Sequence, residues 1–153
     1  MFLDPIDRRI LQVLQRDGGI QNADLASRVG LSPSPCLRRV KRLKESGMIA
    51  RYVALLDPGK LGLSLTVFAR VWLTGQDEET VVPFVEAVQK LPEIVECCMM
   101  AGDCDFILRI VARDLDDYRQ FQAQHLGRIR GVRNIKTEIP LQINKRTTEI
   151  PLR

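Results

Sequence analysis

Apolar residues follow two different rhythms along this chain of 153 residues. Up to Gly47 they recur at helical spacing; from Leu63 onward they alternate along short runs separated by turn signals. Asp4-Pro5 predicts the start of a first helix, because Asp accepts a hydrogen bond at an N-cap and Pro at the first helical position has no N–H to leave unpaired. Ile6, Ile10, Val13 and Leu14 give that helix one apolar face, and Gly18-Gly19 ends it. Asn22 is the predicted cap of a shorter second helix, with Leu25, Ala26 and Val29 on one side and Gly30 as its stop. Ser32-Pro33 opens a third, which Gly47 closes. On the helical wheel of the third, Cys36, Leu37, Val40 and Leu43 fall on one side, and Ser34, Pro35, Arg38, Lys41 and Arg42 on the other. Only Gly30-Leu31-Ser32 separates helices two and three, the tight Gly-containing turn of a helix-turn-helix.

Beyond Gly47 the pattern changes. Met48 to Leu56 is strand-like, and Asp57-Pro58-Gly59 is a turn signal, so a strand wing and linker are expected, with a domain boundary near residue 62. Leu63, Leu65, Val67, Ala69, Val71 and Leu73 occupy every second place of a strand. Its other face carries Thr66, Phe68, Arg70 and Trp72, apolar enough to call for cover by another subunit. A helix follows from Asp77–Glu79 through Val88 and Leu91, with Pro83 arguing for a late start. Ile94 to Met100 is a strand, Ala101-Gly102-Asp103 a hairpin turn, and Asp105 to Ala112 a strand again. Asp114 caps a helix carrying Leu115, Tyr118, Phe121 and Leu126, and Val132 to Ile143 gives a last strand. The order βαββαβ predicts a ferredoxin-like sheet with helices on one face. The expected fold is thus α+β: residues 1–62 a winged helix-turn-helix domain, residues 63–153 a βαββαβ domain.

Charge adds a functional direction to this outline. The whole excess of +4 sits in the first 50 residues, which hold nine basic and five acidic side chains; the rest is balanced. Five of those nine lie between Arg38 and Lys44. A basic stripe on the outer face of the last helix suits a polyanion. The small residues Ser32, Ser34 and Pro35 let the helix start approach base edges, and Arg38, Arg39, Lys41 and Arg42 are the candidates for bases and phosphates. A solvated basic helix face is the plainer alternative. Neither a membrane span nor a signal peptide is expected, and the four cysteines, without a CxxC pair, fit reduced thiols in a cytoplasmic chain.

Three motifs carry a resemblance to a known family. They are Leu3-Asp4-x-x-Asp7-x-x-Ile10-Leu11, the run Leu31-Ser32-Pro33-Ser34-Pro35-Cys36-Leu37-Arg38-Arg39-Val40-Lys41-Arg42-Leu43 with Gly47-x-Ile49, and Gly102-Asp103-x-Asp105-Phe106-x-Leu108. With this domain order the chain resembles the Lrp/AsnC, or feast/famine, transcriptional regulators, over nearly its whole length. The recognition-helix stretch looks especially like the leucine-responsive branch. The resemblance implies sequence-specific binding of double-stranded DNA, and homodimers formed through the βαββαβ domains that assemble further, often into octamers. It also implies a small amino-acid effector, such as leucine or methionine, that changes DNA binding or assembly. The effector loop maps onto Met100, Ala101, Gly102, Asp103, Cys104 and Asp105. By itself this turn fits either a Gly-Asp hairpin with a packing role or a zwitterion site. In the second case backbone amides hold a carboxylate, and Asp103 or Asp105 accepts from an ammonium.

Other chemistries find little support. Cys36 is expected to pack as a small hydrophobe, and Cys97, Cys98 and Cys104 have no second ligand type spaced with them, so no metal is assigned. His125, the only histidine, has no motif partner and is expected on the surface of a helix. Some haem-biosynthesis decarboxylases resemble the same two-domain fold, but no catalytic set is visible here, and neither an enzyme nor a cofactor is expected. An architectural DNA-bending protein without an effector is the remaining alternative.

Overall fold

In a computed structural model that describes residues 3–152, Asp4 starts the first helix, α1 (Pro5–Arg16), by accepting hydrogen bonds from the amides of Ile6 and Asp7 at 2.8 Å each. Next come α2 (Asn22–Val29) and α3 (Pro33–Glu45). Gly30 joins them in the left-handed conformation, φ 73°, and its N–H and that of Leu31 return to carbonyls of the last turn of α2. Only glycine adopts that φ without strain, which explains the sharp stop. Ile10, Leu11, Leu25, Ala26, Val29, Cys36, Val40 and Leu43 form the buried core of this unit. They repeat at helical spacing on all three helices, so hydrophobic burial holds the helices together.

Two local expectations change in this unit. Gln21, not Asn22, is the N-cap of α2; the Asn22 side chain instead donates to the Pro33 carbonyl at 2.9 Å and ties the start of α2 to the start of α3. Leu37, expected on the inner face, is 58% exposed. Cys36, Val40 and Leu43 stand at i, i+4 and i+7 along the core line, and Leu37 lies one residue, about 100°, off it.

The sheet comprises β1 (Leu65–Leu73), β2 (Ile94–Met99), β3 (Phe106–Ala112) and β4 (Val132–Glu138), ordered β2-β3-β1-β4 and antiparallel throughout. The helices α4 (Glu78–Gln89) and α5 (Leu115–Gln124) complete the ferredoxin-like βαββαβ order. Val67, Ala69, Val71, Leu73, Phe106, Leu108 and Ile110 pack from one sheet face onto Phe84, Val88, Tyr118 and Phe121 of the helices. The opposite face carries Phe68, Arg70 and Trp72, all half-buried, and the ion pairs Arg70–Glu138 and Arg109–Glu96.

Several boundaries differ from the sequence reading. The stretch 48–56 forms no strand, because it finds no ladder partner within the described chain. β4 ends at Glu138 instead of Ile143; Pro140 lacks an N–H to continue a ladder. Pro83 does not delay α4, which starts at Glu78 under the Asp77 cap, so the proline sits inside the helix. Leu126 is buried from a 3-10 turn (Leu126–Arg128) that follows α5 instead of from the helix itself.

The chain divides into two compact units. One contains the helices up to Leu55 and also the segment from Lys145 onward; the other is Leu56–Asn144. The expected division at residue 62 did not assign the C-terminal tail to the helical unit. Gln15 holds that tail by a two-way bond, Nε2 to the Ile150 carbonyl at 3.2 Å and Oε1 from the Ile150 amide at 2.6 Å. Arg16 adds an ion pair to Glu149 at 3.0 Å, and Leu152 packs against the helical core.

Candidate nucleic-acid interface and effector loop

Burial of Cys36, Val40 and Leu43 turns one stripe of α3 outward: Ser34, Leu37, Arg38 and Lys41, at i, i+3, i+4 and i+7. Arg38 is exposed and enters no ion pair among the described residues, and Lys41 is held only by an exposed i,i+4 contact to Glu45 at 3.7 Å. The other two predicted cations are committed elsewhere. Arg39 Nη1 bonds Asp4 at 2.6 Å and Asp7 at 2.8 Å, and Arg42 Nη2 bonds Asp7 at 2.7 Å. Asp7 is 1% exposed, whereas the side chains of Arg39 and Arg42 are 26% and 51% exposed. A buried carboxylate is stable only when paired and hydrogen-bonded, and here it spans from α1 to two successive turns of α3. Arg39 therefore clamps the reading helix instead of facing outward, and Arg42 does both in part.

The start of α3 is less suited to anions than a typical helix N-terminus. Ser32 is the N-cap but makes no side-chain cap bond, and Pro33 and Pro35 lack N–H groups. The Cys36 amide already bonds the Ser32 carbonyl at 3.2 Å, so Ser34 supplies the one free amide of this first turn. Pro35 is half-buried. The hydroxyls of Ser32 and Ser34 and the side chains of Leu37, Arg38 and Lys41 are what this face presents. Leu37 was missed by the sequence reading, which assigned it to the core; its exposure beside two cations was the signal that only packing could provide.

The Asp4 carboxyl is held below its ordinary value of 3.8, first by the Asp7 amide and then by the Arg39 guanidinium. A depressed folded-state value contributes stability that is complete above the ordinary carboxylate range and is lost as pH falls through the depressed value. Acid titration of helical circular dichroism is expected to show this loss below pH 3.8. Asp4→Ala is expected to weaken the dependence; an unaltered acid midpoint and slope would exclude Asp4 from it.

In the second unit, the segment Met100–Asp105 joins β2 to β3. Both ends are fastened: the Met100 amide bonds the Asp105 carbonyl at 2.9 Å, and the Asp105 amide bonds the Val71 carbonyl at 3.0 Å. The Asp105 carboxylate accepts from the Leu73 amide at 2.7 Å and from Gln76 Nε2 at 2.8 Å, and Trp72 Nε1 donates to the Asp103 carbonyl at 2.7 Å. The amides of the four residues between these anchors, Ala101 to Cys104, donate no hydrogen bond to another backbone group among the described residues. A Cβ at Gly102 would meet nothing within 4 Å, so nothing inside this protomer requires glycine there.

Residues 3–50 match the winged helix-turn-helix DNA-binding domain, and residues 66–150, more than half of the chain, match the Lrp/AsnC ligand binding domain. The chain belongs to the Lrp/AsnC family. It is 42% identical over 151 residues to the leucine-responsive regulatory protein of Klebsiella pneumoniae, covering 99% of this chain and 92% of that one. It is 37% identical over 152 residues to the transcriptional regulator AzlB of Bacillus subtilis, covering 99% and 97%. A transcriptional regulator of Neisseria meningitidis solved in complex with L-Met superposes with a TM-score of 0.95 at 37% identity, covering 98% of this chain and 97% of the other. An AsnC family transcriptional regulator of Agrobacterium tumefaciens gives 0.92 at 40%, covering 97% of each. This Lrp/AsnC chain is a transcriptional regulator with a DNA-binding helix-turn-helix and a ligand-binding domain.

The Lrp/AsnC loop does not deploy its six predicted residues alike. Met100, Ala101, Gly102 and Asp103 are exposed, whereas Cys104 is buried at 4% and turned into the core. Asp105 is occupied by Leu73 and Gln76 and anchors the loop, leaving Asp103 as the carboxylate without a side-chain bond among the described residues. Burial raises the Cys36 and Cys97 thiols above their ordinary values, the reverse of an activated thiolate. Among the described residues no cluster of His, Cys, Asp and Glu is placed to hold a metal, and no helix is long and apolar enough to cross a membrane.

Proposed function

We propose that this regulator reads duplex DNA through the outward stripe of α3 and takes a small amino acid at the Met100–Asp105 loop. The observation that carries the DNA half is the unpaired, exposed Arg38 between Leu37 and Lys41, opposite the buried line Cys36-Val40-Leu43. Arg38 has the reach and the fork geometry for guanine, Leu37 suits a thymine methyl group, and Ser34 and Lys41 suit phosphates. Arg42 supplies one further phosphate contact from the half of its side chain that the Asp7 bond leaves open.

The loop complements a zwitterion. Free amides from Ala101 to Cys104 offer donors to a carboxylate, and Asp103 offers an acceptor to an ammonium. Leucine and methionine are the first ligands to test, because relatives are a leucine-responsive regulator and a protein solved with L-Met. Coupling to DNA would be reciprocal, each ligand changing the affinity of the other by the same factor. The half-buried Phe68 and Trp72 on the uncovered sheet face support a homodimer through that face. Further assembly towards an octamer and a cytoplasmic location belong to the same proposal.

Isothermal titration with L-Leu and L-Met tests the loop. Gly102→Trp is expected to weaken binding by about tenfold or more, near 1.4 kcal/mol. Because a Cβ at this exposed position meets nothing within 4 Å, folding and binding to a short duplex are expected to stay as in wild type. Wild-type effector affinity in Gly102→Trp would refute this placement.

A further inference from the structure

We infer that the corner between the 3-10 turn and β4, built by Arg128, Arg130 and Arg133, is a second DNA-backbone contact, outside the helix-turn-helix. Between Asp117 and Glu138 the chain has no acidic residue, yet it carries Arg119, Arg128, Arg130, Arg133 and Lys136. The other arginines of this unit are ion-paired: Arg70 with Glu138, Arg109 with Glu96, Arg113 with Asp117 and Arg119 with Asp116. Arg128, Arg130 and Arg133 are exposed, and their side chains have no ion-pair or hydrogen-bond partner among the described residues. A fold that neutralises four arginines and leaves three neighbouring ones free concentrates uncompensated positive charge at one place.

That place is rigid. Leu126 is fully buried, and Ile129 and Val132 pack against the same core, while Arg128 and Arg130 between them and Arg133 just after them are exposed. The carbonyl of Gly131, a residue at φ 91°, accepts from the Thr74 amide at 2.8 Å, which fastens the corner to the end of β1. A Cβ there would come within 3.0 Å of Thr80, so the backbone is closely seated. The guanidiniums are thereby presented with little loss of backbone freedom on binding.

Arg128 and Arg133 are separated by at most about 18 Å of chain, and duplex DNA carries a phosphate every ~3.4 Å of axis on each strand, so the three guanidiniums are close enough together to engage neighbouring phosphates of one duplex. DNA is the fitting polyanion because the same chain holds a duplex through α3, which raises the local phosphate concentration at the rest of the molecule. The contact is sequence-independent, since nothing but charge and guanidinium geometry is offered. It extends the reading of α3 and is separable from it: Arg38→Ala lowers preference for the specific site, whereas the corner sets the salt dependence.

The test uses the full chain and two duplexes, about 20 and about 80 base pairs long, centred on one binding site and titrated at several salt concentrations. The triple variant R128A/R130A/R133A is expected to lower the salt slope by about two to three per engaged protomer, at roughly 0.9 for each phosphate no longer neutralised. The decrease appears on the long duplex at least, and R128K/R130K/R133K restores the slope. Sedimentation of the triple alanine variant is expected to match wild type. An unchanged slope on both duplexes, a decrease that lysine does not restore, or a decrease accompanied by altered sedimentation would overturn the inference; the last would make the corner an interface between copies. Arg113→Ala, which removes an ion-paired arginine of the same unit, is the control and leaves the slope unchanged.

Discussion

Asp7→Asn is expected to lower the stability of the helical unit by about 3 kcal/mol. Removing one partner of a buried ion pair costs roughly 3–5 kcal/mol, and the low end applies because both arginines keep some contact with water. In a unit of this size that corresponds to a fall in melting temperature of roughly 12–24 °C. The cause is specific. A carboxylate at 1% exposure accepts at 2.7 and 2.8 Å from two arginines one turn apart, so the amide replacing it loses a charge and one acceptor together. The molecule supplies its own control, because its single tryptophan, Trp72, lies in the other unit. Helical circular dichroism should show the early transition, while Trp72 emission keeps its wild-type midpoint. Coincident loss of both signals would mean that the clamp stabilises more than the helical unit. A double-mutant cycle with Arg42→Ala is expected to be non-additive by about 0.5–3 kcal/mol, and additivity would show that the bond is not formed.

Arg38→Ala is the second large effect. Specific DNA affinity is expected to fall by about 1–3 kcal/mol, or roughly fivefold to 150-fold, with discrimination relaxed at one base position. Unlike those of Arg39 and Arg42, the Arg38 side chain has no bond among the described residues to lose, so its removal is expected to leave folding unchanged. Competition binding at fixed salt against a scan of single base changes would reveal the relaxed position. Equal weakening for every sequence would make Arg38 a phosphate contact, and no change would remove it from the interface. By contrast, Arg39→Ala is expected to act through stability, because its guanidinium is tied to Asp4 and Asp7.

The two outcomes separate residues that look alike in sequence. Arg38, Arg39, Lys41 and Arg42 fall in one basic run, and charge counting treats them as equals. Helical geometry distributes them over different directions, and only the position of α1 determines that Asp4 and Asp7 meet Arg39 and Arg42. Asp7 was legible as a position in a motif; its role as a buried partner was not, because its partners lie 32 and 35 residues away. Leu37 shows the converse. Its apolar character fits a core position, and the exposed place follows only from which line of α3 the other helices cover. In the Met100–Asp105 loop, Asp103 and Asp105 are two residues apart and chemically identical. Donors from the end of β1 and the segment after it occupy Asp105 and leave Asp103 open.

The stretch 48–56 and the C-terminal tail mark another limit. Alternating and β-branched residues signal extended backbone, but a strand exists only where a second segment offers a ladder, and local pattern contains no record of that partner. The tail carries an equally weak signal, yet Gln15 and Arg16 hold it on α1.

Local rules sufficed for what depends on near neighbours. Caps, glycine stops and the 3.6 and 2.0 periods specified the three helices, the Gly30 turn, the βαββαβ order and the outward basic helix, because those are determined within a few residues. Only the tertiary structure decided which charges are spent on holding the fold and which remain for a ligand. That division depends on contacts between residues far apart in the chain, where burial makes pairing obligatory and exposure leaves it optional.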